Sequence, residues 1–304
     1  MALQVVSGVE PILSDVELLD GTIELELAVT GERAFPGVAW RAGAHHLETF
    51  FVRPHQVGNP DAIQYTPAFN GVSAWQLYHG DGFWAPVSFP LGDWFTIRVV
   101  FAGSRAEMFV ADLGTPALVA RLRVPPAPGR IGILPGGDEL RVARFEHVDE
   151  ATFSRAPRAT DPEPPGVIRD WEVSNAFAES DLDAAIRAEH GWTAIESEPN
   201  GLLDLARVQG IENGRNTVLA RTTIRSEQPA TRLLELGFSD RAVVYLNGVP
   251  LFRGADGYRT RDYRFLGSIG WYDALYVPLE AGENELAVAV SEDFGGWGVQ
   301  ARLA

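Results

Sequence analysis

Short runs of alternating polar and apolar residues dominate this chain of 304 residues. The clearest run, residues 22–29, reads Thr-Ile-Glu-Leu-Glu-Leu-Ala-Val. Such alternation is typical of an antiparallel strand with one buried face. Gly, Pro and Asp separate the runs and indicate turns. In the first half the pattern predicts strands at residues 22–29, 37–41, 47–53, 62–65, 73–78, 94–101, 105–110, 117–122, 130–134 and 140–147.

The second half shows the same strand pattern with one helical interruption. Residues 181–190 predict a short helix, capped by Ser180 or Asp181 and stopped by Gly191. Residues 243–251 place an Asn-Gly pair between two apolar runs, which predicts a hairpin turning at Asn247 and Gly248. Further strands are predicted at residues 217–224, 232–237, 242–246, 274–278 and 285–290.

A proline-rich stretch divides the chain. Residues 154–166 contain four prolines and almost no apolar bulk, as expected of a stiff linker. We therefore predict a first domain at residues 1–153, a linker at 154–166 and a second domain at 167–304. The many short strands predict an all-β fold with two β-sandwich (jelly-roll) domains and at most one short helix.

Composition narrows the classes of partner. Hydrophobic residues make up 46% of the chain, enough for a core in each domain. The formal net charge of −16 repels phosphate backbones, so we expect no nucleic-acid partner. No apolar run approaches the ~20 residues of a membrane span. Residues 1–15 lack the pattern of a secretory signal, which makes a cytoplasmic location the default expectation.

Two residue types are absent. The chain has no Cys, which excludes disulfides, thiolate nucleophiles and cysteine-based zinc sites. It also has no Lys, since all 25 basic residues are Arg, which excludes Schiff-base chemistry and a P-loop. An enzyme built on this chain would depend on Asp, Glu, His, Tyr, Arg, Ser, Thr or a metal.

Residues 53–84 are the densest segment in groups that both hydrogen-bond and stack. Planar amides, carboxylates and aromatic faces together suit a polyhydroxylated ligand such as a saccharide. The alternative is that the aromatic residues fill the core and the polar residues hold a long loop. The candidate ligand-binding residues are Arg53, Gln64, Tyr65, Asn70, Trp75, Gln76, Tyr78, His79 and Trp84.

Three residues are candidates for catalysis, namely Glu48, His55 and Asp61. Hydrolysis of a glycosidic bond uses two carboxyl groups ~5–5.5 Å apart for retention or ~6.5–9.5 Å apart for inversion. Glu48 and Asp61 are the pair we consider. The alternative for Glu48 is an ion pair with Arg41 or Arg53.

No metal ligand set is assigned from the sequence. His55, His79 and Asp61 offer imidazole and carboxylate groups for a metal, although their spacing matches no compact ligand motif. A structural Ca²⁺ held by carboxylates and loop carbonyls is the other possibility.

Six segments of the first half carry a likeness to a known superfamily, at residues 20–27, 35–41, 92–99, 105–110, 129–133 and 142–147. In the order of these segments the first half resembles the concanavalin A-like lectin and glucanase superfamily, in particular its laminin-G-like and 3-keto-disaccharide hydrolase branches. The Glu-x-Asp-x-(x)-Glu strand of family 16 glucanases has no match in this chain, nor does the metal cluster of legume lectins. The resemblance therefore implies a fold and a glycan-related role without a mechanism.

Two segments of the second half carry a second likeness, residues 244–252 and residues 279–290, the latter through Gly-Glu-Asn-Glu-Leu followed by alternating Val. On these segments the second half resembles galactose-binding-like jelly rolls, which are appended to many glycoside hydrolases.

Three functions remain open from the sequence. The leading expectation is a protein that binds a carbohydrate or glycoside, with a small-molecule or saccharide ligand on residues 53–84. The second is a glycoside-active hydrolase or lyase of the 3-keto-disaccharide hydrolase type, as the resemblance implies. The third is a non-catalytic structural interaction module. The sequence does not give the oligomeric state.

Overall fold

The protein is described here by a computed structural model that covers residues 4–6, 8–137, 140–160 and 162–304. The described residues are almost entirely β, as the sequence predicts, and their one α-helix, α1, spans Leu182–Ala185. None of their helices is long and apolar enough to cross a membrane. The strands of the first half are β1 (Gln4–Val6), β2 (Ile12–Leu18), β3 (Gly21–Ala28), β4 (Gly37–Ala42), β5 (His46–Val52), β6 (Ile63–Phe69), β7 (Val72–Ser73), β8 (Trp84–Ala85), β9 (Trp94–Ala102), β10 (Arg105–Val110), β11 (Leu118–Arg121), β12 (Gly129–Leu134) and β13 (Leu140–Val148). Those of the second half are β14 (Asp170–Ser174), β15 (Trp192–Glu196), β16 (Leu203–Asp204), β17 (Thr217–Ser226), β18 (Ala230–Ser239), β19 (Arg241–Leu246), β20 (Val249–Ala255), β21 (Asp273–Leu279), β22 (Gly282–Ser291) and β23 (Gly298–Leu303).

The chain forms two compact units. The first unit holds residues 1–68 and 78–159, and the second holds residues 69–77 and 160–304. Residues 69–77 thus leave the first half of the sequence and join the second unit. Asp161, within the predicted linker, lies outside the described residues.

The first unit contains two antiparallel sheets. One has the order β1-β13-β3-β9-β10-β11, and the other has β2-β12-β4-β5-β6 with β8 also along β6. Apolar residues of alternating positions, such as Ile23, Leu25 and Leu27 on β3, are fully buried. Trp40 on the second sheet lies 5.8 Å from Phe101 on the first, centroid to centroid, so the two inner faces pack as a sandwich.

The second unit repeats this architecture with different strands. Its sheets have the orders β15-β14-β17-β22-β19-β20 and β16-β23-β18-β21. One buried cluster includes Phe238, Trp171 and Trp297. Phe238 on one sheet meets Phe252 on the other at 6.1 Å, which again indicates two faces packed on a shared core.

Some predicted elements differ from the structure. Residues 73–78 are not a strand beyond Ser73, because the Leu77 amide donates to the Ala74 carbonyl and closes a turn. The predicted helix 181–190 is α-helical only at α1, after a 3-10 turn at Glu179–Asp181. The pattern also misses β1, β2, β8, β14, β15, β16 and β23.

The Asn247–Gly248 hairpin turn is confirmed. Leu246 pairs with Val249 across it, and both central residues have positive φ, 50° and 76°. Positive φ at both positions is the reason that this dipeptide is preferred in such turns.

Candidate functional site

Glu48 lies in the interior of the first unit. On β5, Glu48, Phe50 and Val52 share one face and are each 0% exposed. The Tyr65 hydroxyl donates to Glu48 Oε2 at 2.6 Å, and the Val124 amide donates to Oε1 at 3.0 Å. Both carboxylate oxygens are therefore engaged by protein groups.

Burial dominates the ionisation of this carboxyl group. It raises the pKa of Glu48 to about 7, although the hydrogen bonds from Tyr65 and Val124 and the charges of Arg41 and Arg123 act in the opposite direction. Burial and the neighbouring Glu48 also raise the pKa of Tyr65. A substrate arriving from solvent does not reach a fully buried carboxylate, so the catalytic role of Glu48 stays a prediction without support from its surroundings.

The opposite face of the same sheet carries a group that we call the Trp84 cluster: Arg53, Asp61, Gln64, His79 and Trp84. Gln64 and Trp84 are directly paired residues on β6 and β8. With its amide oriented to satisfy its neighbours, Gln64 accepts hydrogen bonds from Trp84 Nε1 and Arg53 Nη1, both at 3.3 Å. Arg53 also forms an ion pair with Asp61, and the His79 ring lies 5.7 Å from Trp84.

Exposure within the Trp84 cluster is graded. Arg53 and Gln64 are buried, whereas Asp61, His79 and Trp84 are half-buried. Gln64 fixes the orientation of Trp84, and Arg53 fixes that of Asp61, while the His79 ring packs against Trp84. The arrangement presents an aromatic ring beside an imidazole and a carboxylate, which together can stack on an apolar surface and bind hydroxyl groups.

His55 lies beside the Trp84 cluster but has different contacts. Its ring packs edge-on against Phe35 at 5.5 Å, and neither ring nitrogen has a hydrogen-bond partner among the described residues. Burial, followed by the charges of Arg53 and Arg33, lowers the pKa of His55, while Asp61 opposes them. Both ring nitrogens are buried, so a substrate in solvent does not reach them, and the lowered pKa makes this imidazole a weaker base.

The structure does not assemble the histidine metal site considered above. No group of three or more His, Asp or Glu residues in the described parts of the chain is arranged to hold a metal ion. His55, His79 and Asp61 therefore do not form a metal site.

Three predicted ligand residues, Asn70, Trp75 and Gln76, belong to the second unit. Trp75 contacts the rings of Tyr258 and Phe294 at 6.5 and 5.7 Å. Gln76 is fully buried and donates to the Leu266 carbonyl at 2.7 Å. Their surroundings differ from those of the Trp84 cluster.

Asn70 lines a polar cleft of the second unit. The cleft has a volume of about 420 Å³ and includes Asn175, Gln209 and Asn213 in its wall. The side chain of Asn70 donates to the Ala206 carbonyl at 2.9 Å. The Gln209 amide is fixed by Ser174 and Ala176, so part of this wall is rigid.

Tyr78, another of the predicted ligand-binding residues, lies in the first unit. Tyr78 is only 1% exposed, and its ring lies 5.4 Å from that of Phe83. The Arg123 guanidinium lies over both rings. Tyr78 thus contributes to packing within the first unit.

Some residues that contact the candidate site residues carry no signal in the sequence pattern. Arg123 and Val124 hold the Glu48–Tyr65 pair through their backbone amides, which carry no sequence signature. Phe35, which contacts His55, was visible only as part of a motif. Asn175 directly follows a strand and Asn213 lies in a turn. Polar residues are common at both kinds of position for local reasons.

Comparisons with protein-family models and with curated proteins found no match for this chain. Similar solved structures include the carbohydrate-binding module CBM66 from Bacillus subtilis, which is 14% identical with a TM-score of 0.37 over 45% of this chain and 80% of that one. Chicken galectin 2 is 16% identical with a TM-score of 0.32, covering 46% of this chain and 100% of that chain. A Pleurotus ostreatus lectin is 14% identical with a TM-score of 0.24, covering 98% of this chain and 75% of that chain. At these values none of them assigns a family or a function to the chain.

Proposed function

We propose that the protein binds a saccharide or glycoside through the Trp84 cluster. The observation that carries this proposal is the direct pairing of Gln64 with a half-buried Trp84 on adjacent strands. The indole offers a face to the C–H side of a sugar ring, while His79 and Asp61 offer groups for its hydroxyls.

Preorganisation supports this proposal. Arg53 is held by Asp61 and Gln64, and Gln64 is held by Trp84, so little side-chain freedom is lost on binding. A site whose polar groups are already oriented loses less affinity to ordering. Gln64 and Trp84 lie on paired strands, and Arg53, Asp61 and His79 lie in the loops that adjoin them.

The binding proposal is tested by calorimetric titration with a panel of mono- and disaccharides. We expect Trp84→Ala to weaken binding of the responsive sugar at least tenfold, equivalent to about 1.4 kcal/mol. Trp94→Ala is the matched control, because Trp94 is a half-buried tryptophan of the same unit on its other sheet. Absence of binding to every sugar, or equal weakening by both substitutions, would reject the Trp84 cluster as the site and favour an interaction module.

A further inference from the structure

The second unit has a cleft on the outer face of its larger sheet. Alternate residues of β19, such as Ala242 and Val244, belong to the inner core, so Arg241 and Val243 project outward. We call the depression over Val243 the outer-face cleft. Its volume is about 280 Å³.

Strand register builds the floor of the outer-face cleft. Val243 is paired with Ala289 on β22 and with Arg253 on β20, so these three side chains form one row on the outer face. Arg241 is paired with Ser291 and Ala255 in the same way and forms a second row beside it.

The 3-10 turn at Glu179–Asp181 and α1 supply the wall. Leu182 packs with Val243 and Ala289 in a small hydrophobic cluster separate from the inner core. The Ser291 and Thr217 hydroxyl groups form a hydrogen bond with each other, with 2.7 Å between their oxygens. The floor is therefore mostly apolar and poorly suited to a ligand with many hydroxyl groups.

The two arginines of the cleft have different partners. Arg241 binds Glu179 at 2.7 Å and Asp293 at 2.6 Å, and these contacts fix its guanidinium group. Arg253 is exposed, and its side chain forms no hydrogen bond or ion pair with the residues that the structure describes. Its charge is available to a ligand.

One arginine of the cleft keeps an uncompensated charge within an acidic protein. Arg241 is paired with both Glu179 and Asp293, which leaves Arg253 as the cation available at the cleft. The chain as a whole carries −16. A local positive charge above an apolar floor favours an anion with an apolar body, since field and burial then act on different parts of one ligand.

We propose that the outer-face cleft binds a small organic monocarboxylate, with its apolar body on Val243 and Ala289 and its carboxylate on Arg253. This site lies within the second unit and does not depend on saccharide binding by the Trp84 cluster. A charge-assisted bond to a guanidinium is the strongest contact that the cleft offers such a ligand.

The test is a titration of the full chain with benzoate and hexanoate, followed by NMR of the Val243 and Ala289 methyl groups. Benzyl alcohol is the uncharged comparison for benzoate. We expect benzoate to bind at least fivefold more tightly than benzyl alcohol, and to weaken when salt screens its charge.

Arg253→Gln should weaken the binding of benzoate at least fivefold and leave the binding of benzyl alcohol unchanged. Arg225→Gln is the control, because Arg225 is an exposed arginine on β17 of the same sheet, paired with Glu283 outside the cleft. Ala255→Leu, at the exposed rim, should weaken both probes by narrowing the cleft. Equal binding of benzoate and benzyl alcohol, or no effect of Arg253→Gln, would overturn the proposal.

Discussion

A single buried carboxyl group gives the first unit a pH-dependent stability. The pKa of Glu48 is about 7 in the folded chain and near its ordinary value of 4.5 when the chain unfolds. Between these values the folded state binds more protons than the unfolded state. The free energy of unfolding therefore falls as the pH rises from about 4.5 to about 7, and this loss persists above pH 7.

Glu48→Gln removes this titration. The free energy of unfolding of the variant, relative to that of wild type, should rise by about 3 kcal/mol as the pH goes from about 4.5 to 8, because each pKa unit corresponds to about 1.4 kcal/mol. Urea unfolding at several pH values measures the difference. Glu26→Gln, at a half-buried strand carboxylate of the same unit, should keep the wild-type slope. Equal slopes for wild type and Glu48→Gln would show that Glu48 is not the titrating group.

All five residues of the Trp84 cluster are candidates from the sequence, but the sequence does not show on which side of the sheet their neighbours lie. Arg53, Asp61, Gln64, His79 and Trp84 are close in the chain and meet in the fold. Tyr65, one residue from Gln64, points to the interior because successive strand side chains alternate. Residue type alone does not show which of the two alternating sets of strand side chains is buried.

At the scale of elements, residues 69–77 show where local reasoning ends. Ser73 to Tyr78 alternates like a strand, but the side chain of Gln76 finds its partners far along the sequence. It donates to Leu266 and accepts from Ser239 Oγ at 3.2 Å, across 190 and 163 residues. Only the folded chain brings such partners together.

The loops around Gln76 have glycines where a side chain would collide with it. A Cβ at Gly295 would lie 2.0 Å from Gln76 Oε1, and one at Gly267 would lie 2.0 Å from Nε2. Both glycines also have positive φ, 112° and 78°. The segment is therefore anchored by a tightly enclosed amide.

Gln76→Ala should lower the free energy of unfolding of the second unit by about 2–3 kcal/mol. The substitution leaves the Leu266 carbonyl and Ser239 hydroxyl without this partner and opens a cavity. Urea unfolding measures the loss, and faster hydrogen exchange at the Ile269 amide, which donates to the Gln76 carbonyl, locates it.

Gln228→Ala provides the control for this substitution, since Gln228 is exposed in the same unit. Its effect should stay within about 0.5 kcal/mol. A loss for Gln76→Ala no larger than that of the control would contradict the view that this amide anchors residues 69–77.

At the scale of the whole molecule, carboxyl groups with raised pKa values and carboxyl groups with lowered pKa values together set the pH of greatest stability. In the second unit, burial and then the charge of Asp240 raise the pKa of Glu292 to about 8. Like Glu48, Glu292 therefore destabilises the folded chain as the pH rises from about 4.5. Both units carry such a group.

Other carboxyl groups act in the opposite direction at lower pH. The Arg241 guanidinium lowers the pKa of Asp293. For Glu107, burial raises the pKa, but hydrogen bonds from Ser154 and Arg155 outweigh it and lower the pKa overall. These groups stabilise the folded chain above their unfolded pKa values, and that contribution is lost as the pH falls through their folded values.

We therefore expect the chain to be most stable near pH 5 rather than at pH 7 to 8. Below that pH the stabilising carboxylates become protonated, and above it Glu48 and Glu292 ionise in burial. The optimum lies beside the isoelectric point of about 4.8, where charge repulsion between molecules is weakest. Unfolding by urea and solubility, both measured from pH 4 to pH 9, should show greatest stability and least solubility close together. In Glu48→Gln/Glu292→Gln the stability maximum should broaden toward neutral pH, while an unchanged maximum would require another cause.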